Sequence, residues 1–243
     1  MTAPTPTTHG GADLDAVILD YNGVIGVQPT DVQWAELAAL AGWSAQETKS
    51  FQTAFWQRRE PYDQGTITSQ IFWSGLVRGG RTARAGSDRL TALCRADTDM
   101  WTSTDPAVLE ILHAAHAAGT RMVLLSNAPR PLADRLDATP WCTTLFSRTV
   151  YSARLGANKP QLRAYEAALV AAGWPRPAHT LFVDDRLANV EAAARLGLRT
   201  LHYTGNPADL ARHLPRLAAL TAPAGPRASG IPLPQRTPFP ARP

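Results

Sequence analysis

Six side chains with chemistry to offer stand just after apolar runs, or after a glycine-containing loop, in this 243-residue sequence. Asp20 closes Ala16-Val-Ile-Leu, Ser126 and Asn127 close Arg121-Met-Val-Leu-Leu, Asp184 and Asp185 close Thr180-Leu-Phe-Val, and Lys159 follows Gly156-Ala-Asn. Taken singly, an Asp at the end of an apolar run is more often a turn former or a helix cap than a reactive group. Brought together, three carboxylates repel one another, and a divalent cation relieves the repulsion; hard oxygen ligands with room for water suit Mg²⁺. A lysine and a hydroxyl beside such a cation are suited to hold a dianionic phosphoryl group. The combination points to phosphoryl chemistry on a small phosphorylated molecule.

Convergence of these residues requires a scaffold that gathers the ends of several strands. The short apolar runs at 16–20, 121–126, 180–184 and 199–203 are separated by helix-patterned segments, which is the alternation of a parallel α/β sheet. Helices are predicted over 105–118, where Asp105-Pro106 supplies a cap and a first-turn proline, over 160–172, and over 189–196; Gly119, Gly173 and Gly197 stop them. A doubly wound, Rossmann-like parallel sheet with helices on both faces accommodates this series, and its ligand crevice lies at the carboxyl ends of the strands. Between about 28 and 99 the pattern changes to helix after helix (31–41, 45–59, 68–77 and 87–96), predicting an all-helical insert after the first strand. The expected division is a core of residues 13–27 and 100–220 with a helical cap of residues 28–99. Residues 1–12 and the Pro/Arg-rich tail 221–243 lack apolar periodicity and are expected to be unstructured.

Composition narrows the function classes. No stretch approaches the roughly 20 apolar residues of a membrane span. The start of the chain lacks the basic and apolar pattern of a secretory signal, which favours a cytoplasmic protein, monomer or homodimer. Cys94 and Cys142 have no metal-ligand spacing and read as ordinary thiols. The formal charge of +4 comes from scattered arginines with no clustered basic face, which argues against nucleic acid. Lysine is rare, with Lys49 and Lys159 the only two.

In order along the chain, Asp20-Tyr-Asn-Gly-Val24, Leu125-Ser126-Asn127, Lys159-Pro160 and Val183-Asp184-Asp185 resemble the four motifs of the haloacid dehalogenase superfamily, over about residues 15–205. The stretch Phe182-Val-Asp-Asp-Arg-Leu-Ala-Asn189 is similar to the subgroup holding glucose-1-phosphatase-like enzymes and the phosphatase half of soluble epoxide hydrolase. The resemblance implies a hydrolase in which Asp20 attacks phosphorus and forms an aspartyl-phosphate. It further implies that Ser126, the backbone near Asn127, and Lys159 bind phosphoryl oxygens. Mg²⁺ would be held by Asp20, the carbonyl of Asn22 and Asp185, with Asp184 acting through water or from behind. The helical insert becomes the small cap that closes over the core and excludes water.

One position departs from the pattern. Most phosphatases of the family have Asp where this chain has Asn22, and an amide neither protonates a leaving oxygen nor activates water at neutral pH. Three readings follow: a phosphatase with another proton donor or easier substrates, a dehalogenase- or phosphonatase-like reaction, or a phosphate-binding relative with little turnover. The acidic pair Asp184-Asp185 argues against a metal-free dehalogenase, and a phosphonatase needs a cap lysine, for which Lys49 is the one candidate. Trp34, Trp43, Trp56 and Trp73 are expected mainly to pack the insert, Arg58-Arg59 to be a solvated pair, and His113 and His116 to be surface residues.

Overall fold

The computed structural model describes residues 14–79 and 87–214. The segments 1–13, 80–86 and 215–243 lie outside the described residues, and with them the expectations for both chain ends. Five strands, β1 (Ala16–Leu19), β2 (Met122–Ser126), β3 (Arg148–Tyr151), β4 (Thr180–Asp184) and β5 (Arg199–His202), form one sheet in the order β3-β2-β1-β4-β5. Every pairing is parallel. The central strands β1, β2 and β4 are buried at every residue, which is why each reads as an unbroken apolar run. The order reverses at β1, so the crevice of the sheet opens at the carboxyl ends of β1 and β4, beneath Asp20 and Asp184.

Among the described residues, four helices, α1 (Asp31–Leu40), α2 (Thr48–Asp63), α3 (Ser69–Ser74) and α4 (Asp88–Met100), follow β1, and a fifth, α5 (Pro106–Ala117), also precedes β2. After them come α6 (Arg130–Asp137), α7 (Pro140–Leu145), α8 (Ser152–Leu155), α9 (Leu162–Ala171), α10 (Leu187–Arg195) and α11 (Pro207–His213). Asp105 caps α5 as its sequence predicts, its carboxylate accepting from the N–H groups of Ala107 and Val108. The pleat of β1 divides the core: Ala16 and Ile18 face α9 and α10, whereas Val17 and Leu19 face the other layer. That second cluster continues without a break into the insert, where Trp34, Phe51, Phe55, Phe72 and Trp73 meet edge to face at ring separations of 5.1–6.4 Å. None of the described helices is long and apolar enough to cross a membrane.

Helix α2 runs on to Asp63, past its expected end at 59, and α6, α7, α8 and α11 have no counterpart among the expected helices; two further differences concern β3 and α9. β3 is an additional strand: it is four residues long, with Arg148 exposed and Thr149 and Val150 half-buried, so only pairing with β2 identifies it. Helix α9 begins at Leu162 rather than at 160, leaving Lys159 in the preceding loop. The cause is Asn127, whose Oδ1 accepts from the Lys159 N–H at 2.8 Å and whose Nδ2 donates to the Lys159 carbonyl at 2.9 Å. This clasp commits both main-chain groups of Lys159 to β2's C-terminal loop instead of a helical turn.

Candidate active site

Asp20 follows β1, and its N–H donates to the carbonyl of Val183, which locks the ends of β1 and β4 together at 2.9 Å. Its Oδ1 accepts from the Tyr21 N–H at 2.6 Å and lies 2.8 Å from Lys159 Nζ. The same ammonium donates to Asp184 Oδ2 at 2.6 Å, and the Lys159 side chain is only 1% exposed. Asp184 is saturated: its Oδ1 also takes the Arg186 N–H, and Asn189 Nδ2 reaches both of its oxygens. Asp185 is different, since its Oδ1 is buried with no hydrogen-bond partner. Asn22 Oδ1 and Ser126 Oγ are likewise buried without partners. Buried polar atoms in a folded protein nearly always find a partner, so three orphans at one crevice mark where a ligand completes the network.

The loop after Asp20 is shaped around this cluster. The Tyr21 carbonyl accepts from the N–H groups of Val24, Ile25 and Gly26, folding the chain back on itself. Gly23 sits at φ +82°, where a Cβ would fall 2.2 Å from Asp185 Oδ2. Gly23→Ala therefore strains the backbone by about 1–2 kcal/mol and displaces the Asp185 carboxylate. A thermal melt is expected to show Tm lower by roughly 2–8 °C.

Electrostatics follow from burial and charge count. Asp20, Asp184 and Asp185 each offer an oxygen within 4.8 Å of the others. Burial pushes the Asp20 carboxyl up to about 8, opposed by Lys159 and reinforced by Asp184 and Asp185. Burial also raises Asp185, with the Asp184 charge adding to it. Burial alone would lower Lys159, but the carboxylates of Asp20 and Asp184 outweigh it and hold the ammonium above the usual lysine value. With all three carboxyls ionised against one ammonium, two negative charges would be left over, which one divalent cation would balance. With hard oxygen donors and the free Asp185 Oδ1, the site fits Mg²⁺.

A cleft of about 670 Å³ opens over the cluster, walled below by Asp20, Asn22, Asn127, Lys159 and Asp185, and above by residues of α2 and Trp101. A family model for haloacid dehalogenase-like hydrolases matches residues 14–197, the whole stretch that carries the four strand-end motifs. The chain belongs to this family of hydrolases. Among its relatives, a sesquiterpene phosphatase of Aspergillus oryzae is 29% identical over 153 residues, covering 58% of this chain and 77% of that protein. A GMP/IMP nucleotidase of Escherichia coli is 29% identical over 203 residues, covering 80% of this chain and 85% of that one. The fold matches a haloacid dehalogenase-family enzyme of Bacteroides thetaiotaomicron, solved in complex with magnesium and inorganic phosphate. Its TM-score is 0.60 at 20% identity, covering 79% of this chain and 96% of that one.

The hydrolase thus brings Asp20, Asn22, Asn127, Lys159 and Asp185 to one cleft, with Asp184 paired to Lys159 and Ser126 at the end of β2 next to Asn127. The Asn127 side chain is fixed by its two hydrogen bonds to the Lys159 main chain. Arg59 corrects the expectation of a solvated pair. It is 3% exposed, held by Asp63 at 2.6 Å and Asp97 at 2.9 Å, with its guanidinium over the Phe55 ring at 5.0 Å. Trp34 and Trp73 pack the insert, whereas Trp56 is 51% exposed at the cleft. Lys49 is exposed on α2 and does not line the cleft. Residues that the sequence does not assign to the site also line the cleft: Asn189, Asn158, Arg59 and Asp63. Asn189 lies within the Phe182–Asn189 stretch; Arg59 is the last residue of the helix expected over 45–59, and Asp63 lies beyond that expected end.

Proposed function

We propose that this hydrolase is a Mg²⁺-dependent phosphatase that cleaves a small phosphomonoester through an aspartyl-phosphate on Asp20. The observation that carries the reading is the Lys159 ammonium, held between Asp20 and Asp184 at the floor of the cleft. It restrains the Asp20 carboxylate and places positive charge where phosphoryl oxygens would arrive. Ser126 Oγ and the main chain at Asn127 supply further donors. Asp20, the Asn22 carbonyl and Asp185 would hold Mg²⁺, with Asp184 fixing Lys159 from behind, as its saturated oxygens suggest. The bound ion supplies positive charge that lets a carboxylate and a phosphate dianion approach. Trp56 and Trp101 on the opposite wall favour a leaving group with an apolar or ring body. The relatives named phosphatase and nucleotidase support the same reaction class.

Asn22 favours a second reading, a phosphate-binding protein with little turnover, and one substitution separates the two. Phosphate release from a panel of phosphomonoesters, with and without Mg²⁺, is the test. Wild type is expected to turn over only with Mg²⁺, and Asn22→Asp to release phosphate from alkyl phosphates at least as fast as wild type, because it adds a proton donor beside the nucleophile. Activity confined to Asn22→Asp, with none in wild type, would favour the binding protein.

A further inference from the structure

Departure of an alkoxide from phosphorus calls for a proton, and Asn22 has none to give. Of the titratable groups around the cleft, Asp20 is the nucleophile, Lys159 is committed to two carboxylates, and Asp185 faces the metal side. Arg59 and Arg186 do not release protons in this range. Glu60 is exposed to solvent. Asp63 remains, at the last residue of α2, with its side chain 13% exposed. Its Oδ1 accepts from Arg59 Nε, and among the described residues its Oδ2 carries no hydrogen bond.

The core holds this end of α2 in place. Asn158 Nδ2 donates to the Glu60 carbonyl at 2.9 Å, Gln64 Nε2 to the Gly156 carbonyl at 3.1 Å, and Ser152 Oγ to the carbonyl of Asp63 itself. Ser152 Oγ also accepts from the Ala128 N–H at 3.0 Å, so Asp63 is tied to the loop that follows Ser126 and Asn127. Gly65 seats the next turn against Ala153, where a Cβ would lie 2.5 Å from the Ala153 carbonyl oxygen. These contacts join α2 to the two loops that carry Asn127 and Lys159.

We propose that Asp63, carried by the helical insert, is the proton donor that replaces the acid missing at Asn22; the proposal rests on the phosphatase reading above. As the Asp20 carboxylate bonds to phosphorus, the ester P–O bond breaks, its electron pair stays on the leaving oxygen, and that oxygen takes the Asp63 proton. In the second half, the Asp63 carboxylate accepts a proton from water while the water oxygen bonds to phosphorus and the Asp20–phosphorus bond breaks. Phosphate leaves, and both carboxyl groups return to their starting states. The charge environment suits the role. Burial raises Asp63 to about 6, Arg59 and Arg186 oppose the rise, and Asp97, sharing Arg59, adds to it.

The test compares kcat/KM, which reports steps up to leaving-group departure, for benzyl phosphate and for p-nitrophenyl phosphate, whose leaving group needs no proton. Asp63→Asn is expected to lose about 10²-fold or more on benzyl phosphate and far less on p-nitrophenyl phosphate. Asn22→Asp added to Asp63→Asn is expected to recover the benzyl phosphate rate. Asp97→Asn, which disturbs the same guanidinium, is expected to affect both substrates alike. Equal loss on both substrates in Asp63→Asn, or no loss on benzyl phosphate, would overturn the proposal while leaving the phosphatase reading intact. Wild type supplies an independent arm that needs no variant to fold. Its benzyl phosphate rate, taken relative to its p-nitrophenyl phosphate rate, should fall as pH rises past about 6; parallel profiles would also overturn the assignment. A wild type inactive on both esters would remove the phosphatase reading and this proposal with it.

Discussion

The Asp20→Asn protein is expected to fold, to resist heat at least as well as wild type in metal-free buffer, and to lose on the order of 10⁴-fold or more in phosphate release. The catalytic loss follows because an amide cannot form the aspartyl-phosphate. The stability follows from burial. Asn keeps the shape of the side chain and an acceptor for the Tyr21 N–H, while Lys159 retains Asp184 as a counter-charge at 2.6 Å. The folded-state pKa of Asp20 is raised from 3.8 to about 8. A carboxyl shifted in that direction binds its proton more tightly when folded, so its favourable contribution is complete below about 4 and is lost as pH rises through about 8. The gap in Tm between Asp20→Asn and wild type should therefore widen from pH 4 to pH 8, and Mg²⁺ should narrow it. Residual activity in Asp20→Asn above about one part in 10² would place the nucleophile elsewhere.

Lys159→Met should do the opposite to stability. Removing the ammonium leaves Asp20 and Asp184 buried and uncompensated, at 5% and 0% exposure, and breaking a buried pair in this way costs about 3–5 kcal/mol. For a domain of this size that corresponds to a fall in Tm of roughly 6–20 °C. The deficit should be larger at pH 8 than at pH 5, because protonation of Asp20 at lower pH removes one of the uncompensated charges. Mg²⁺ should protect the variant more than it protects wild type, since the ion then carries the compensation alone. Turnover should fall as well, because the phosphoryl group loses its nearest cation. A variant that melts within about 1 °C of wild type at pH 8 would mean that the three carboxylates do not depend on this lysine.

Comparing these two positions with Asp63 shows why some of the site was legible in the sequence and some was not. Asp20, Ser126 and the Asp184-Asp185 pair were readable because each ends a strand buried on both faces. In such a sheet an apolar run must give way to polar residues where the strand emerges at the crevice. Lys159 was readable for a different reason, its rarity in a chain with two lysines. Its partner Asn127 was named, but as a ligand residue. That its side chain is occupied in clasping the Lys159 backbone depends on how the two loops approach one another.

By itself, then, the sequence determined the alternation of strands and helices, the strand-end carboxylates, the family, and the absence of an acid at Asn22, since each is written in local pattern and spacing. The edge strand β3 needed its neighbour β2, because four residues with one exposed arginine carry too little apolar signal. The identity of the groups facing Asp20 across the cleft was decided only by the tertiary structure. Arg59 and Asp63 sit on α2; Arg59 is enclosed by Asp63, Asp97 and the rings of Phe55, Tyr62 and Trp101, and the end of α2 that carries Asp63 is bonded to Asn158 and Ser152. Burial and charge pairing are set by contacts among segments roughly 40 to 100 residues apart, and no periodicity along one helix records them.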